Sequence, residues 1–165
     1  MTDVFLTVGT QEPFDRLVRA VDAWAAGRSV RVFGQLGALG PRNYRPRHFP
    51  FATFLARADY ARHLAACRLM VAHAGMGSII SALEGAKPIL VLPRQAALGE
   101  HRNEHQLATA RRFADRPGIH VVWHEDEVAD RLDWLIQCED GGKGQAPTTS
   151  PELIATLRDF IFAGR

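Results

Sequence analysis

The sequence predicts one α/β domain, a parallel sheet with helices on both faces. Two observations carry this. Short apolar runs alternate with stretches of helical period along the chain, the pattern of repeated strand–helix–strand units. The 165 residues also suffice for one sizeable core but not for two ordinary domains.

The elements follow in order. Val4 to Val8 reads as the first strand, ending in the turn Gly9-Thr10-Gln11. Pro13 suits the first turn of a helix, where a missing N–H costs nothing. Phe14, Leu17, Val18, Val21 and Trp24 then share one buried stripe. Ser29 to Phe33 reads as a second strand and 34–46 as a loop rich in Gly, Pro and Arg. Phe49 to Phe54 holds a third strand, and Ala56 to Ala66 a helix. Leu69 to Ala72 is a strand broken by His73-Ala74-Gly75-Met76-Gly77-Ser78, after which Ile79 to Gly85 continues as a helix. Lys87-Pro88 restarts the chain into the strand Ile89 to Leu92. A helix over Glu100 to Ala114, a strand over Ile119 to Trp123 and a helix over Val128 to Gln137 complete the domain. Residues 139–150 read as a polar, Gly-rich linker. It leads to a C-terminal helix over 151–165 that Ser150 can cap, with Pro151 at its first position.

Bulk properties narrow the function. A composition of 47% hydrophobic and 23% charged residues is that of a soluble globular protein. A net charge of +2 suits an anionic small ligand or an anionic membrane surface, and is far from a nucleic-acid footprint. No run approaches the roughly 18 apolar residues of a membrane span. The N-terminus lacks the basic region of a signal peptide. Cys67 and Cys138 stand alone and read as reduced thiols, so the expected compartment is the cytoplasm.

In a parallel sheet, ligands bind at the carboxyl ends of the strands. The strongest local signal lies in such a place. His73 to Ser78 follows a buried strand and opens a helix, so free backbone N–H groups and the positive end of the helix dipole converge there, favouring a phosphate. Gly75 and Gly77 permit close approach and Ser78 offers a hydroxyl. The alternative is a tight strand-to-helix turn with no ligand. Gly75-Met76-Gly77 lacks the third glycine of a dinucleotide fingerprint, since Ile80 stands in its place, so NAD is not expected.

The second candidate is the run Glu100 to Gln106. His101 and His105 are four apart on one helical face, as in a zinc site, but Arg102 stands where a zincin needs glutamate. Glu100, His105 and Gln106 instead suit a polyhydroxylated ligand, or else form a solvated helix end. Arg94, ending the preceding strand, is a candidate phosphate partner or a surface arginine. Arg42, Arg45 and Arg47 read as solvated, and Met76 and Phe51 as packing residues.

Together these segments resemble the C-terminal, donor-binding half of the two-domain glycosyltransferases of family 28. The similarity is closer still to the small stand-alone versions of that half. These are subunits of two-part UDP-sugar transferases, acting on dolichol-linked oligosaccharide or in bacterial exopolysaccharide synthesis. The carriers are Val8-Gly9-Thr10-Gln11 with Pro13-Phe14-Asp15-Arg16, His73 to Ser78, Glu84-Gly85-Ala86-Lys87-Pro88, and Pro93-Arg94 through Gly99-Glu100-His101 to Glu104-His105-Gln106.

The resemblance implies a Rossmann-like domain over 1–138, equivalent to the C-terminal half of a GT-B glycosyltransferase. It implies a UDP-sugar substrate, no cofactor and no metal in the donor site. The loop Gly9-Thr10 and the turn Gly75-Met76-Gly77-Ser78 would hold the diphosphate, with Gln11 and His73 also among the donor-binding residues. His105 and Gln106 would touch sugar hydroxyls. Relatives often carry a ribose-binding acid seven positions before the Lys-Pro proline; here that position is Ser81.

Acceptor binding and the catalytic base would come from a membrane-anchored partner subunit, with a lipid-linked acceptor and inversion at the anomeric carbon. The chain would then sit peripherally at the inner face of the membrane, and the helix over 151–162 could grip that partner. Two other readings stay open: a non-catalytic nucleotide-sugar-binding subunit and a UDP-GlcNAc 2-epimerase-like enzyme.

Overall fold

A computed structural model describes residues 2–138. Its element order is β1 (Val4–Thr7), α1 (Asp15–Ala25), β2 (Val32–Gln35), β3 (Phe51–Ala52), α2 (Arg57–Ala66), β4 (Leu69–His73), α3 (Met76–Glu84), β5 (Ile89–Leu92), α4 (His105–Phe113), β6 (Ile119–Val121) and α5 (Glu127–Gln137). A short 3-10 turn, Ala96–Leu98, precedes α4. The expected linker at 139–150 and helix at 151–165 lie outside the described residues.

All six strands are parallel, in the order β3-β2-β1-β4-β5-β6. This is the Rossmann order, in which the chain reverses its direction of travel between β1 and β4. The strands are apolar on both faces because helices cover both. Side chains alternate along each strand. Val4, Leu6, Leu69, Val71, Leu90 and Leu92 therefore join Leu17, Val21 and Trp24 of α1 and Leu132 and Leu135 of α5 in one core layer. Met70, Ala72, Ile89 and Val91 join Ile79, Leu83, Ala110 and Phe113 of α3 and α4 in the other.

Helix α2 buries no residue fully. It holds to the sheet by rings, with His63 stacked 3.9 Å from Phe33 and Tyr60 edge-on 5.1 Å from Phe5.

Several boundaries differ from expectation; the third strand covers only Phe51–Ala52 of the expected 49–54, and the last ends at Val121 rather than Trp123. The second strand runs over 32–35, not 29–33. Asp3 fixes this register: its carboxylate accepts the Arg31 N–H at 3.0 Å, and the ladder starts at Val4 opposite Val32. Gly34, expected in a loop, is therefore a strand residue, where a methyl group would approach the Phe49 ring to 2.9 Å. Helix α3 begins at Met76, inside the glycine turn. Helix α4 begins at His105 and not at 100: the left-handed Gly99 (φ 69°) ends the 3-10 turn, and residues 100–104 bend before the helix starts after Glu104.

Candidate functional site

A cleft of about 720 Å³ opens at the carboxyl ends of the strands, at the β1/β4 reversal. This is where open parallel sheets bind ligands. Its floor is Thr7, Val8, Gly9 and His73. The cleft is also lined by Thr10, Gln11 and Glu12 with Arg94, His101 and Gln106, and by Gly77, Ser78 and Ser81 with Phe54, Leu55, Arg57 and Tyr60.

The start of α3 supplies the anion-binding geometry. Gly75 is the N-cap and no side chain caps the helix. Ser78 N–H already bonds the Gly75 carbonyl at 3.1 Å, whereas the N–H groups of Met76 and Gly77 are left without intrahelical partners. A methyl group at Gly77 would meet nothing within 4 Å, so the space above this residue is open to the cleft.

His73 is enclosed by two glycines. Gly9 (φ 82°) passes so close that a methyl there would approach the imidazole Cε1 to 3.0 Å, and one at Gly75 would overlap the ring. Gly75 thus makes room for His73, a different role from the ligand approach expected of it. Burial, then the charge of Arg94, pushes the His73 pKa down to about 4. Its Nδ1 is buried with no hydrogen-bond partner.

Arg94 is not free to pair with a phosphate. It is 3% exposed, and its four terminal N–H bonds are directed at carbonyls. Nη1 donates to Pro13 at 2.7 Å and Glu100 at 3.3 Å; Nη2 donates to Glu12 at 2.6 Å and Val8 at 2.9 Å. The residue anchors the loop after β1 and sets a positive charge beneath the cleft.

Gln106 is held by its amide oxygen, which accepts from the backbone N–H groups of Ala74 and Arg94, each at 3.1 Å. Two donors on one oxygen fix the side-chain orientation, so the NH₂ must point away from them. Gln106 is 7% exposed and lines the cleft.

Two expected sugar contacts lie elsewhere. Glu100 is ion-paired to Arg16 at 2.7 Å and is not among the lining residues. His105 is exposed at the first position of α4, also off the cleft. Met76 packs against the α3/α4 core layer, as a packing residue should.

Three further lining residues, Gln35, Tyr60 and Phe54, carried no sequence signal. Gln35 accepts the Thr7 hydroxyl at 2.9 Å and donates to the Gly9 carbonyl at 3.4 Å, bracing the loop from beneath. Tyr60 stands beside Ser81; burial raises its pKa and a hydrogen bond with Ser81 opposes the rise. Phe54, 66% exposed, stands at the rim. His101, set aside as a zinc ligand, lines the cleft with Nδ1 3.6 Å from Glu12 Oε2. No cluster of three His, Cys, Asp or Glu residues suited to a metal occurs among the described residues. No helix among them is long and apolar enough to cross a membrane.

Comparison with known proteins identifies the family and the fold. The profile described as "Glycosyltransferase family 28 C-terminal domain" matches residues 3–128. Mouse "UDP-N-acetylglucosamine transferase subunit ALG13" is 28% identical over 182 aligned positions, covering 98% of this chain and 15% of the mouse protein. The chain thus spans about one seventh of the length of that relative. Among solved structures, the calicheamicin glycosyltransferase CalG4 superposes with a TM-score of 0.63 at 16% identity, over 99% of this chain and 40% of CalG4. The NMR structure of ALG13 superposes with a TM-score of 0.59 at 17% identity, over 95% of this chain and 97% of that one. These superpositions identify the fold as the Rossmann-like half of a GT-B glycosyltransferase.

Proposed function

The chain belongs to the glycosyltransferase family 28 C-terminal domain family, and from this premise we propose that it is the donor-binding subunit of a UDP-sugar transferase. The observation that carries the reading is the uncapped start of α3 facing an open cleft at the strand-order reversal. In this reading the diphosphate lies against the N–H groups of Met76 and Gly77, the Ser78 hydroxyl and the Gly9-Thr10-Gln11 loop. The helix dipole and the buried Arg94 charge favour it there, which makes a metal unnecessary. Ser81 takes the ribose, and the free NH₂ of Gln106 takes a hexose hydroxyl.

The acceptor oxygen then displaces UDP with inversion, its proton taken by a base on a membrane-anchored partner. A lipid-linked acceptor fits such a partner, and the chain would sit peripherally on the cytoplasmic side. Exopolysaccharide or glycolipid assembly is the corresponding process. The mouse relative, named as a transferase subunit, supports a two-part enzyme.

Calorimetry with UDP and with UDP-GlcNAc, each repeated in EDTA, tests the donor site. Binding of both, unchanged by the chelator, is expected. Binding that vanishes with EDTA, or no binding at all, would overturn the reading.

A further inference from the structure

One ion pair near the cleft is not used by the reading above. Arg16, on α1, meets Glu100 fork to fork, Nε to Oε1 at 2.7 Å and Nη2 to Oε2 at 2.8 Å. Both side chains are nearly buried, 11% and 13% exposed. Arg16 reaches further, with Nη2 to the Pro93 carbonyl at 2.9 Å and Nη1 to Glu125 Oε2 at 3.1 Å.

Glu100 is tied from three sides. Besides Arg16, its Oε2 accepts the Gln95 N–H at 3.0 Å and its carbonyl accepts from Arg94. Glu100 thus closes the turn that carries the chain from β5 to α4, past the left-handed Gly99. The two residues that this turn delivers to the cleft are His101 and Gln106.

Burying a charge pair is a poor way to gain stability, because desolvation offsets most of the attraction. What a bidentate Arg–carboxylate pair supplies well is geometry. We propose that Arg16 is a positioning residue of the donor site, whose grip on Glu100 fixes the 99–104 turn and so places His101 and Gln106 at the sugar end of the cleft. The pair thereby sets how strongly the protein prefers a nucleotide-sugar to the bare nucleotide. The preference rests on the donor-binding reading; the fixing of the turn does not.

Glu100→Gln, which keeps shape, and Arg16→Lys, which keeps charge but loses the fork, test this in the full chain. Thermal melts confirm folding, and hydrogen exchange reads the turn directly. Faster exchange confined to residues 95–106 is expected, with UDP affinity nearly unchanged and UDP-GlcNAc affinity down about tenfold, the scale of one charged hydrogen bond. Unchanged exchange in both variants overturns the positioning role. Equal losses for UDP and UDP-GlcNAc, or no loss for either, overturn the effect on preference. If the unaltered protein binds neither ligand, the donor reading fails and the preference fails with it, while the exchange result still judges the turn.

Discussion

His73 is a neutral base held between two glycines, and its depressed pKa has a consequence for stability. The unfolded chain takes up a proton near pH 6.5, whereas the folded chain resists until about pH 4. Stability from this group is therefore fully present above pH 6.5 and is lost as pH falls toward 4. The loss is on the order of 2 kcal/mol by pH 5. Urea denaturation at pH 7 and pH 5 should show it, and His73→Asn should remove it. Gly77 and Gln106 divide the ligand differently. A side chain at Gly77 would project into open cleft space, so Gly77→Val should abolish UDP binding without lowering the melting temperature. Gln106→Ala would also orphan the Ala74 and Arg94 N–H groups, at roughly 1–3 kcal/mol. Gln106→Glu is cleaner, because it keeps an acceptor oxygen and removes the outward NH₂. Its affinity for UDP-sugars should fall more than its affinity for UDP; equal losses by calorimetry would show that Gln106 does not meet the hexose.

At the scale of elements, the long connection between β2 and β3 is fixed by acids on α1. Asp22, 1% exposed, accepts the Tyr44 hydroxyl at 2.6 Å, the His48 N–H at 2.8 Å and the Arg47 N–H at 3.0 Å. Asp15 accepts the Tyr44 N–H at 3.0 Å. Burial alone would raise the Asp22 pKa, but the Tyr44, His48 and Arg47 hydrogen bonds outweigh it and hold the carboxyl below its ordinary value. Its contribution is therefore present above the unfolded pKa near 3.8 and is lost as pH falls through the lower folded one. Asp22→Ala should destabilise the domain by roughly 1–3 kcal/mol, since it leaves several part-buried donors without their acceptor. Chemical denaturation at neutral pH measures this; a change under about 0.5 kcal/mol, the range of an ordinary surface substitution, would mean the loop holds itself.

At the scale of the whole molecule, the buried residues of both core layers, among the described residues, span Val4 to Leu135. A chain ending at residue 138 tests whether these layers suffice: cooperative folding and UDP binding like that of the full chain are expected, checked by circular dichroism and calorimetry. A truncated chain that fails to fold would place essential core beyond the described residues. The alternation of apolar runs and helical stripes was enough to read the parallel fold, because side-chain period follows directly from local backbone geometry. The glycine turn at 73–78 was legible for the same reason: strand, turn and helix start are contiguous in sequence. The extent of β2 was not, since the Asp3–Arg31 contact that sets its register joins residues 28 apart. Nor were the roles of Arg94, Glu100, Gln35 and Tyr60. An arginine, a glutamate or a glutamine at the end of a strand looks the same in sequence whether it faces a ligand or a neighbouring loop. The sequence by itself determined the fold class and the place of the cleft, through periodicity and turn chemistry that act over a few residues. Only the tertiary structure decided which polar groups there remain available, because Arg94 and Glu100 are occupied by partners brought from α1 and the loop after β1.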